Sequence, residues 1–96
     1  MKLLMMLYTG TNPQRVTAVL DSHEANAFTE IDRAHGRGVT GRVEGTRAWP
    51  GESSVFFTIV PDERVANLEG ALRDLASGAT PGERLHVAVL PVEHFF

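Results

Sequence analysis

The residues best suited to bind an anion are concentrated in one stretch of the chain, residues 34–52. It contains five of the nine glycines, the arginines Arg37, Arg42 and Arg47, and the single tryptophan, Trp49. Glycines let the backbone turn its N–H groups toward an anion, and arginine offers a fork of donors that matches phosphate or carboxylate. Hairpin loops usually have about two to five residues. A loop of this length favours a binding function over the alternative, a solvated loop whose arginines keep the chain soluble.

Histidine is another residue type with chemical potential, and it occurs four times. His35 adjoins the Gly/Arg stretch, whereas His23 ends a predicted helix, where it can interact with the terminal carbonyl groups. His86 lies within a predicted strand, and His94 lies near the C-terminus. No two histidines have the H-x-x-x-H or H-x-H spacing of a local metal site. Metal binding stays open, because a symmetric assembly could bring one histidine from each subunit together.

Composition excludes several classes of function. The chain has no cysteine, which rules out disulfides, thiolate catalysis and Cys-ligated zinc. Its net charge of −3 gives no general reason to expect nucleic-acid binding. The apolar run over residues 2–8 is too short to span a bilayer, and no signal-peptide cleavage site follows it. We expect a cytoplasmic protein with one domain, residues 1–96.

Four strands and two helices must position the anion-binding residues. Asn12 is the predicted N-cap of the first helix and Pro13 its first residue. The second helix opens after Pro61, and Gly78 closes it. Runs of apolar, β-branched and aromatic residues predict the strands. In order, the predicted elements are a strand over 2–8, a helix from 13 to about 22, strands over 27–33 and 53–60, a helix over 62–77 and a strand over 85–92.

This βαββαβ order predicts a ferredoxin-like α+β fold, with a four-stranded antiparallel sheet, both helices on one face and the long loop between the second and third strands. In that topology the first and third strands lie in the middle of the sheet. Both are apolar on their two faces, which is unusual for a sheet covered on one side. The uncovered face needs a partner, and the simplest is the same sheet of another subunit. The pattern predicts self-association without fixing the number of subunits.

Three stretches carry a resemblance to a known family. The order of elements with a long second loop resembles the P-II nitrogen-regulatory superfamily, in which this loop is called the T-loop. The segment FTEIDRAHGRGVTGR is similar to the end of that family's second strand and its Gly/Arg turn. The segment PGERLHVAVLPVE is similar to its last strand and the preceding B-loop turn, and RAWPGESSVFFTIVPDE is similar to P-II-like proteins outside the nitrogen-regulator core. The resemblance covers essentially the whole chain.

The resemblance implies a non-enzymatic signalling protein that forms homotrimers. Such proteins bind small effectors, often adenine nucleotides, in clefts between subunits, and the T-loop then engages a membrane transporter or another target. By position, the effector cleft would be lined by His35, Gly36, Arg37 and Gly38, together with Gly82 and Arg84 of the B-loop turn. Residues 39–50, with Arg42, Arg47 and Trp49, would form the partner-contacting arm.

One departure from the family pattern concerns that B-loop turn. Nucleotide-binding members have a Gly-Asp-Gly-Lys turn whose lysine meets phosphate, whereas this chain has Pro81, Gly82, Glu83 and Arg84. We expect Glu83 to be unfavourable beside a triphosphate and Arg84 to replace the lysine in part. An adenosine monophosphate, another small anion or a metal ion is then an alternative to ATP.

Two alternatives to a signalling role remain. The first is a small ferredoxin-like enzyme, for which Glu30 and Asp32 on one strand face could act as paired carboxylates, although a solvated strand face explains them equally well. An acylphosphatase-like site would need an arginine and an anion cradle after the first strand, but Arg37 follows the second. The other alternative is a metal-ion-binding tolerance protein of the CutA kind.

Overall fold

The computed structural model describes residues 1–35 and 52–96 of the chain, and all predicted elements are found within them. The element order is βαββαβ, as predicted. The bounds are β1 Lys2–Gly10, α1 Gln14–Ser22, β2 Thr29–Ala34, β3 Glu52–Val60, α2 Asp62–Ser77 and β4 Arg84–Pro91.

The four strands form one antiparallel sheet in the order β2-β3-β1-β4. The central position of β1 and β3, predicted from the βαββαβ order, is confirmed. Met6 of β1 stands opposite Phe56 of β3 and opposite Val87 of β4, so the register brings apolar residues of three strands into one row.

Both helices pack on the same face of the sheet, which we call the helix face. Along β1 the side chains alternate, and Leu4, Met6 and Tyr8 are at most 1% exposed. This alternation follows from the period of two in a β-strand. The helices contribute the apolar stripes that cover these residues, and the resulting core consists mainly of Leu4, Met6, Tyr8, Phe56, Val16, Leu20, Leu68 and Leu72.

The opposite face of the sheet, which we call the open face, is apolar but has no cover within the described part of the chain. Leu7 of β1 is 42% exposed, and Ile31 and Leu90 on the two edge strands are 49% and 40% exposed. The register places further apolar residues between them, namely Leu3, Met5, Val55, Phe57, Ile59 and Ala88. Leaving such a continuous apolar surface in water is costly, which is consistent with the predicted self-association.

The start of α1 differs from the prediction. The helix begins at Gln14, with Pro13 rather than Asn12 in the N-cap position and no side-chain cap hydrogen bond. The chain enters the helix through a tight turn, in which the Arg15 N–H donates to the Asn12 carbonyl oxygen at 3.1 Å, and the Asn12 N–H donates to the Tyr8 hydroxyl at 3.2 Å. By contrast, α2 begins at Asp62 after Pro61 and ends before Gly78, as predicted.

Strand β2 runs over Thr29–Ala34, two residues later at its start than predicted. Its pairing with β3 is irregular between Ile31 and Ala34, and Arg33 has φ 61°. This is the geometry of a β-bulge, which re-aims the strand just before it leaves the sheet. Neither helix of the described residues is both long and apolar enough to cross a membrane.

Candidate functional site

One end of the sheet collects the segments that the sequence singled out. Because the strands are antiparallel, β1 and β2 end there at Gly10 and Ala34, while β3 and β4 begin there at Glu52 and Arg84. The long connection after β2 and the turn before β4 therefore leave the sheet at the same end. We call this the loop end.

The predicted site residues within the described part of the chain are His35, Gly82 and Arg84, and all three lie at the loop end. They lie at opposite edges, however, because His35 follows β2 and Arg84 begins β4. Three strand spacings separate these edges, which is about 14 Å. The other predicted residues lie outside the described residues: Gly36, Arg37, Gly38, Arg42, Arg47 and Trp49.

The loop end of the open face is polar, in contrast to the rest of that face. Thr9 stands opposite both Ser53 of β3 and Arg84 of β4, and the Thr9 and Ser53 hydroxyl oxygens are 3.2 Å apart. His86 follows two positions along β4, opposite Leu7. We call this group of four residues the polar corner: Ser53, Thr9 and Arg84 in one row, and His86 beside that row. It combines a guanidinium, an imidazole and two hydroxyls, all of which can donate hydrogen bonds to an anion.

On the other side of the same turn, the Glu83 carboxylate holds three segments together. Tyr8 donates its hydroxyl hydrogen to Glu83 Oε2 at 2.5 Å, and Arg15 Nη1 donates to Glu83 Oε1 at 2.5 Å. The backbone N–H of Thr80 donates to the same Oε1 at 3.1 Å. We call this cluster of Tyr8, Arg15, Thr80 and Glu83 the carboxylate clasp. It joins the end of β1, the start of α1 and the turn before β4.

The electrostatics of the clasp favour an ionised carboxylate. The hydrogen bond from Tyr8 is the main cause that lowers the pKa of Glu83, and Thr80 and Arg15 act in the same direction. Burial is the main cause that raises the pKa of Tyr8, with the hydrogen bond to Glu83 next. The phenol therefore stays protonated and the carboxylate stays charged over a wide pH range.

Close packing at Gly10 is a requirement of the clasp. Gly10 has φ 156°, and a Cβ atom built on it would lie 2.6 Å from the Tyr8 hydroxyl oxygen. No real side chain tolerates that distance, so a larger residue at position 10 would displace the phenol. In the turn, Gly82 has φ 85°, a conformation that glycine adopts at low cost.

These contacts change the interpretation of Glu83. The sequence suggested a negative charge that would be unfavourable beside a triphosphate, but the guanidinium of Arg15 balances that charge within the clasp. Arg84, one residue later, aligns with Thr9 on the open face, away from the clasp. Sequence reasoning missed Tyr8 and Arg15 altogether. The one available signal was that a tyrosine in a buried strand needs a partner for its hydroxyl.

The carboxylates proposed for an enzyme do lie near each other. The carboxyl of Glu30 has a raised pKa, mainly through partial loss of its hydration and also through a hydrogen bond with Asp32. Ser54 Oγ lies 3.5 Å from Asp32 Oδ1. Both residues are exposed on an edge strand, however, which is the solvated strand face that the sequence offered as the other explanation.

The described histidines do not form a metal site with each other. His23 Nδ1 lies 2.9 Å from the carbonyl oxygen of Val19, which confirms its predicted role at the end of α1. His86 lies on the open face, and His94 follows β4 near the C-terminus. Over residues 1–35 and 52–96 no three His, Asp or Glu side chains are close enough to share a metal ion.

Comparison with known proteins identifies the fold. No family model and no curated protein matches the chain. Solved structures do match, among them CPII, a nitrogen regulatory PII-like protein from Thiomonas intermedia K12 bound to ADP, AMP and bicarbonate. Its TM-score is 0.70 at 20% sequence identity, covering 97% of this chain and 88% of CPII. The apo form of CPII matches with a TM-score of 0.66 at 18% identity, covering 95% and 89%. A PII-like protein of Thermus thermophilus matches with a TM-score of 0.60 at 20% identity, covering 92% and 82%.

Proposed function

We propose that this chain, which has the fold of the P-II-like signalling proteins, is itself a P-II-like regulatory protein, with residues 1–96 as its single domain. It senses a small effector, an adenine nucleotide or another small anion, in a cleft between copies of a homotrimer. Binding then changes how its long loop engages a protein target such as a membrane transporter. In this role the protein regulates and does not catalyse.

The observation that carries this proposal is the polar corner. A guanidinium, an imidazole and two hydroxyls lie at the loop end of a face that is otherwise apolar, next to the turn that contains Gly82. Donors grouped at the edge of an apolar surface suit a ligand that is anionic at one end and planar and apolar at the other. An adenine nucleotide has this combination.

The separation of the two halves of the site supports a cleft between copies. His35 and Arg84 belong to opposite edges of one sheet, about 14 Å apart, with β3 and β1 between them. In an assembly of copies, the β2 edge of one subunit can lie beside the β4 edge of the next. Gly36, Arg37 and Gly38 of one copy would then face Gly82 and Arg84 of its neighbour.

The open face supports the homotrimer. Its apolar residues extend across all four strands, and Leu7 and Ile31 are each more than 40% exposed in one copy. A closed ring of three sheets, each packing its open face against the others, would bury this surface on every copy. A cytoplasmic location, predicted from the sequence, fits a regulator that meets both metabolites and the inner side of a transporter.

The charge of the turn indicates the class of effector. Because Arg15 balances Glu83, Arg84 is the cation that the turn offers, with Arg37 as the second cation from the loop base. Two cations match a ligand with one or two phosphates better than a triphosphate. CPII, with the same fold, has been solved with ADP, AMP and bicarbonate. Arg42, Arg47 and Trp49 remain the proposed contacts with the target.

The proposal is tested by calorimetric titration of the purified protein with ADP, AMP and bicarbonate. We expect Arg84→Ala and Arg37→Ala each to weaken nucleotide binding roughly ten- to a hundredfold, because a charge-assisted hydrogen bond contributes about 1.5–3 kcal/mol. Arg37→Lys should restore little if the contact is bidentate. Arg64→Ala is the matched control. Arg64 pairs with Glu24 at 3.1 Å, and α2 begins at the end of the sheet opposite the loop end.

Two results would contradict the proposal. The first is wild-type protein that binds none of the three ligands at millimolar concentration. The second is nucleotide binding that Arg37→Ala and Arg84→Ala leave unchanged, because the loop end could not then be the site.

A further inference from the structure

The clasp brings an unusual number of donors onto one carboxylate. Glu83 accepts hydrogen bonds from the Tyr8 hydroxyl, the Arg15 guanidinium and the Thr80 N–H, and the Thr80 hydroxyl lies 3.5 Å from the same Oε1. The Glu83 side chain is only 7% exposed. Charge-assisted hydrogen bonds in a largely dry setting are among the stronger polar contacts in proteins.

The three segments joined by the clasp differ in rigidity. Tyr8 belongs to the central strand β1 and is 1% exposed, so its position is fixed by the core. Arg15 lies in the first turn of α1, whose Val16 is fully buried. The turn before β4 has no comparable apolar anchor, because Thr80, Pro81 and Gly82 are all exposed. Glu83 therefore ties a solvent-exposed turn to two fixed elements.

Glu83 lies between the two turn residues that the proposed site uses. Gly82 precedes it with φ 85°, and Arg84 follows it as the first residue of β4. The Glu83 backbone N–H also donates to the Thr80 carbonyl oxygen at 2.9 Å, which closes the turn. Because neighbouring residues share the backbone, holding the Glu83 side chain restricts the orientation of the Gly82 N–H and the position from which the Arg84 side chain extends.

We infer that Glu83 is a positioning residue of the effector site: anchored by Tyr8 and Arg15, it presents Gly82 and Arg84 to the effector without touching it. This inference rests on the proposed function. A turn that is already ordered loses less conformational entropy when it binds an anion, so the clasp raises affinity by preorganisation. In this role an acidic residue in an anion-binding turn is an advantage, because its charge is neutralised on the side away from the effector.

The experiment compares Glu83→Ala with two controls. Glu63→Ala removes the same charge from the first turn of α2, at the far end of the sheet. Leu68→Ala removes core packing in α2 and lowers stability without touching the turn. For each protein we would measure ADP affinity by calorimetry and hydrogen exchange of the amides over residues 79–84. Glu83→Gln keeps an oxygen acceptor for Tyr8 and serves as the second variant if Glu83→Ala does not fold.

In Glu83→Ala we expect the turn amides to exchange hydrogen at least tenfold faster than in wild type, and ADP to bind about tenfold more weakly. In both controls the exchange rates and the ADP affinity should stay close to those of wild type. In Glu83→Ala, acetate should occupy the position left by the Glu83 carboxylate and restore both ADP affinity and amide protection. Acetate should leave Leu68→Ala unchanged, because that variant retains its clasp. If Glu83 has only a structural role, Glu83→Ala and Leu68→Ala should bind ADP equally weakly, and acetate should restore the affinity of neither.

The outcomes separate this inference from the function on which it rests. Equal ADP affinity of wild type and Glu83→Ala, or of wild type and Glu83→Gln if only that variant folds, would overturn the inference and leave the proposed function in place. Weakened ADP binding in Glu83→Ala that acetate does not restore would also overturn the inference. Wild-type protein that binds neither ADP, AMP nor bicarbonate would overturn the proposed function and the inference together.

Discussion

The two faces of the sheet are built from the same strands, but their apolar side chains are covered in different ways. On β1, Leu4 and Met6 are fully buried beneath the helices, whereas Leu7, with nearly the same apolar character, is 42% exposed. On the helix face the chain supplies its own cover. On the open face the described part of the chain does not, and the polar groups that interrupt that face are concentrated at the loop end. The comparison indicates that the helix face maintains the fold and that the open face is available for association and binding.

The largest effect should come from a matched pair of substitutions on β1. Leu4→Ala opens a cavity in the core and should reduce the free energy of unfolding by about 2–5 kcal/mol. Leu7→Ala should reduce it less in dilute protein, because Leu7 is partly exposed in one copy. Denaturation at several protein concentrations checks this. If copies bury Leu7, the stability lost in Leu7→Ala should grow with protein concentration. If Leu7→Ala and Leu4→Ala lose equal stability in dilute protein, the proposed difference between the two faces is wrong.

A charge on the open face should abolish assembly. Leu7→Glu places a carboxylate in the middle of the apolar surface, where burying it without a partner is strongly unfavourable. Light scattering should report a trimer for wild type and a monomer for the variant, with the circular dichroism spectrum retained. Wild-type protein that is monomeric at micromolar concentration would contradict the homotrimer. A wild-type dimer would instead favour the enzyme-like relatives of this fold.

Acid should weaken the clasp on the helix face. Because the folded state lowers the pKa of Glu83, its contribution to stability is present above the unfolded value of about 4.3 and is lost as pH falls through the folded pKa. Thermal melts between pH 7 and pH 3 should show a steeper fall for wild type than for Glu83→Gln. Parallel curves for the two proteins would show that Glu83 is not held as described.

The smallest effect concerns the Tyr8 hydroxyl. Tyr8→Phe keeps the buried ring but removes one donor to Glu83 and one acceptor for Asn12, and should cost about 1 kcal/mol. Because the folded state raises the pKa of Tyr8, the hydroxyl contributes below the unfolded value of about 10, and the contribution is lost as pH rises through the folded pKa. The difference in melting temperature between the two proteins should therefore shrink in strong alkali.

The fold was predictable because its signals are local and agree with each other. The nearly continuous apolar runs of β1 and β3, Pro61 before α2 and Gly78 after it were sufficient to place these elements in order. The errors occurred at the ends of two elements, where contacts outside the local sequence pattern decide the boundary. The chain enters α1 through a tight turn, in which the Arg15 N–H donates to the Asn12 carbonyl oxygen, and the irregular end of β2 depends on its pairing with β3.

The candidate site was predictable only in part, for a related reason. Arg84 was predicted from the resemblance of its turn to the P-II B-loop, and the structure places it at the loop end with His35. The clasp was not identified, because Tyr8, Arg15 and Glu83 lie far apart in the sequence and Tyr8 resembles any other apolar residue of its strand. Contacts between such distant residues need the register of the sheet, which a single sequence does not give.

The most direct test of the proposed function maps where an effector binds. Hydrogen exchange of the wild-type protein would be compared with and without saturating ADP and bicarbonate. We predict increased protection in peptides that contain His35 and in those covering residues 79–86, and none around Arg64 at the far end. Protection confined to the far end, or no change anywhere at millimolar ADP, would contradict an effector site at the loop end.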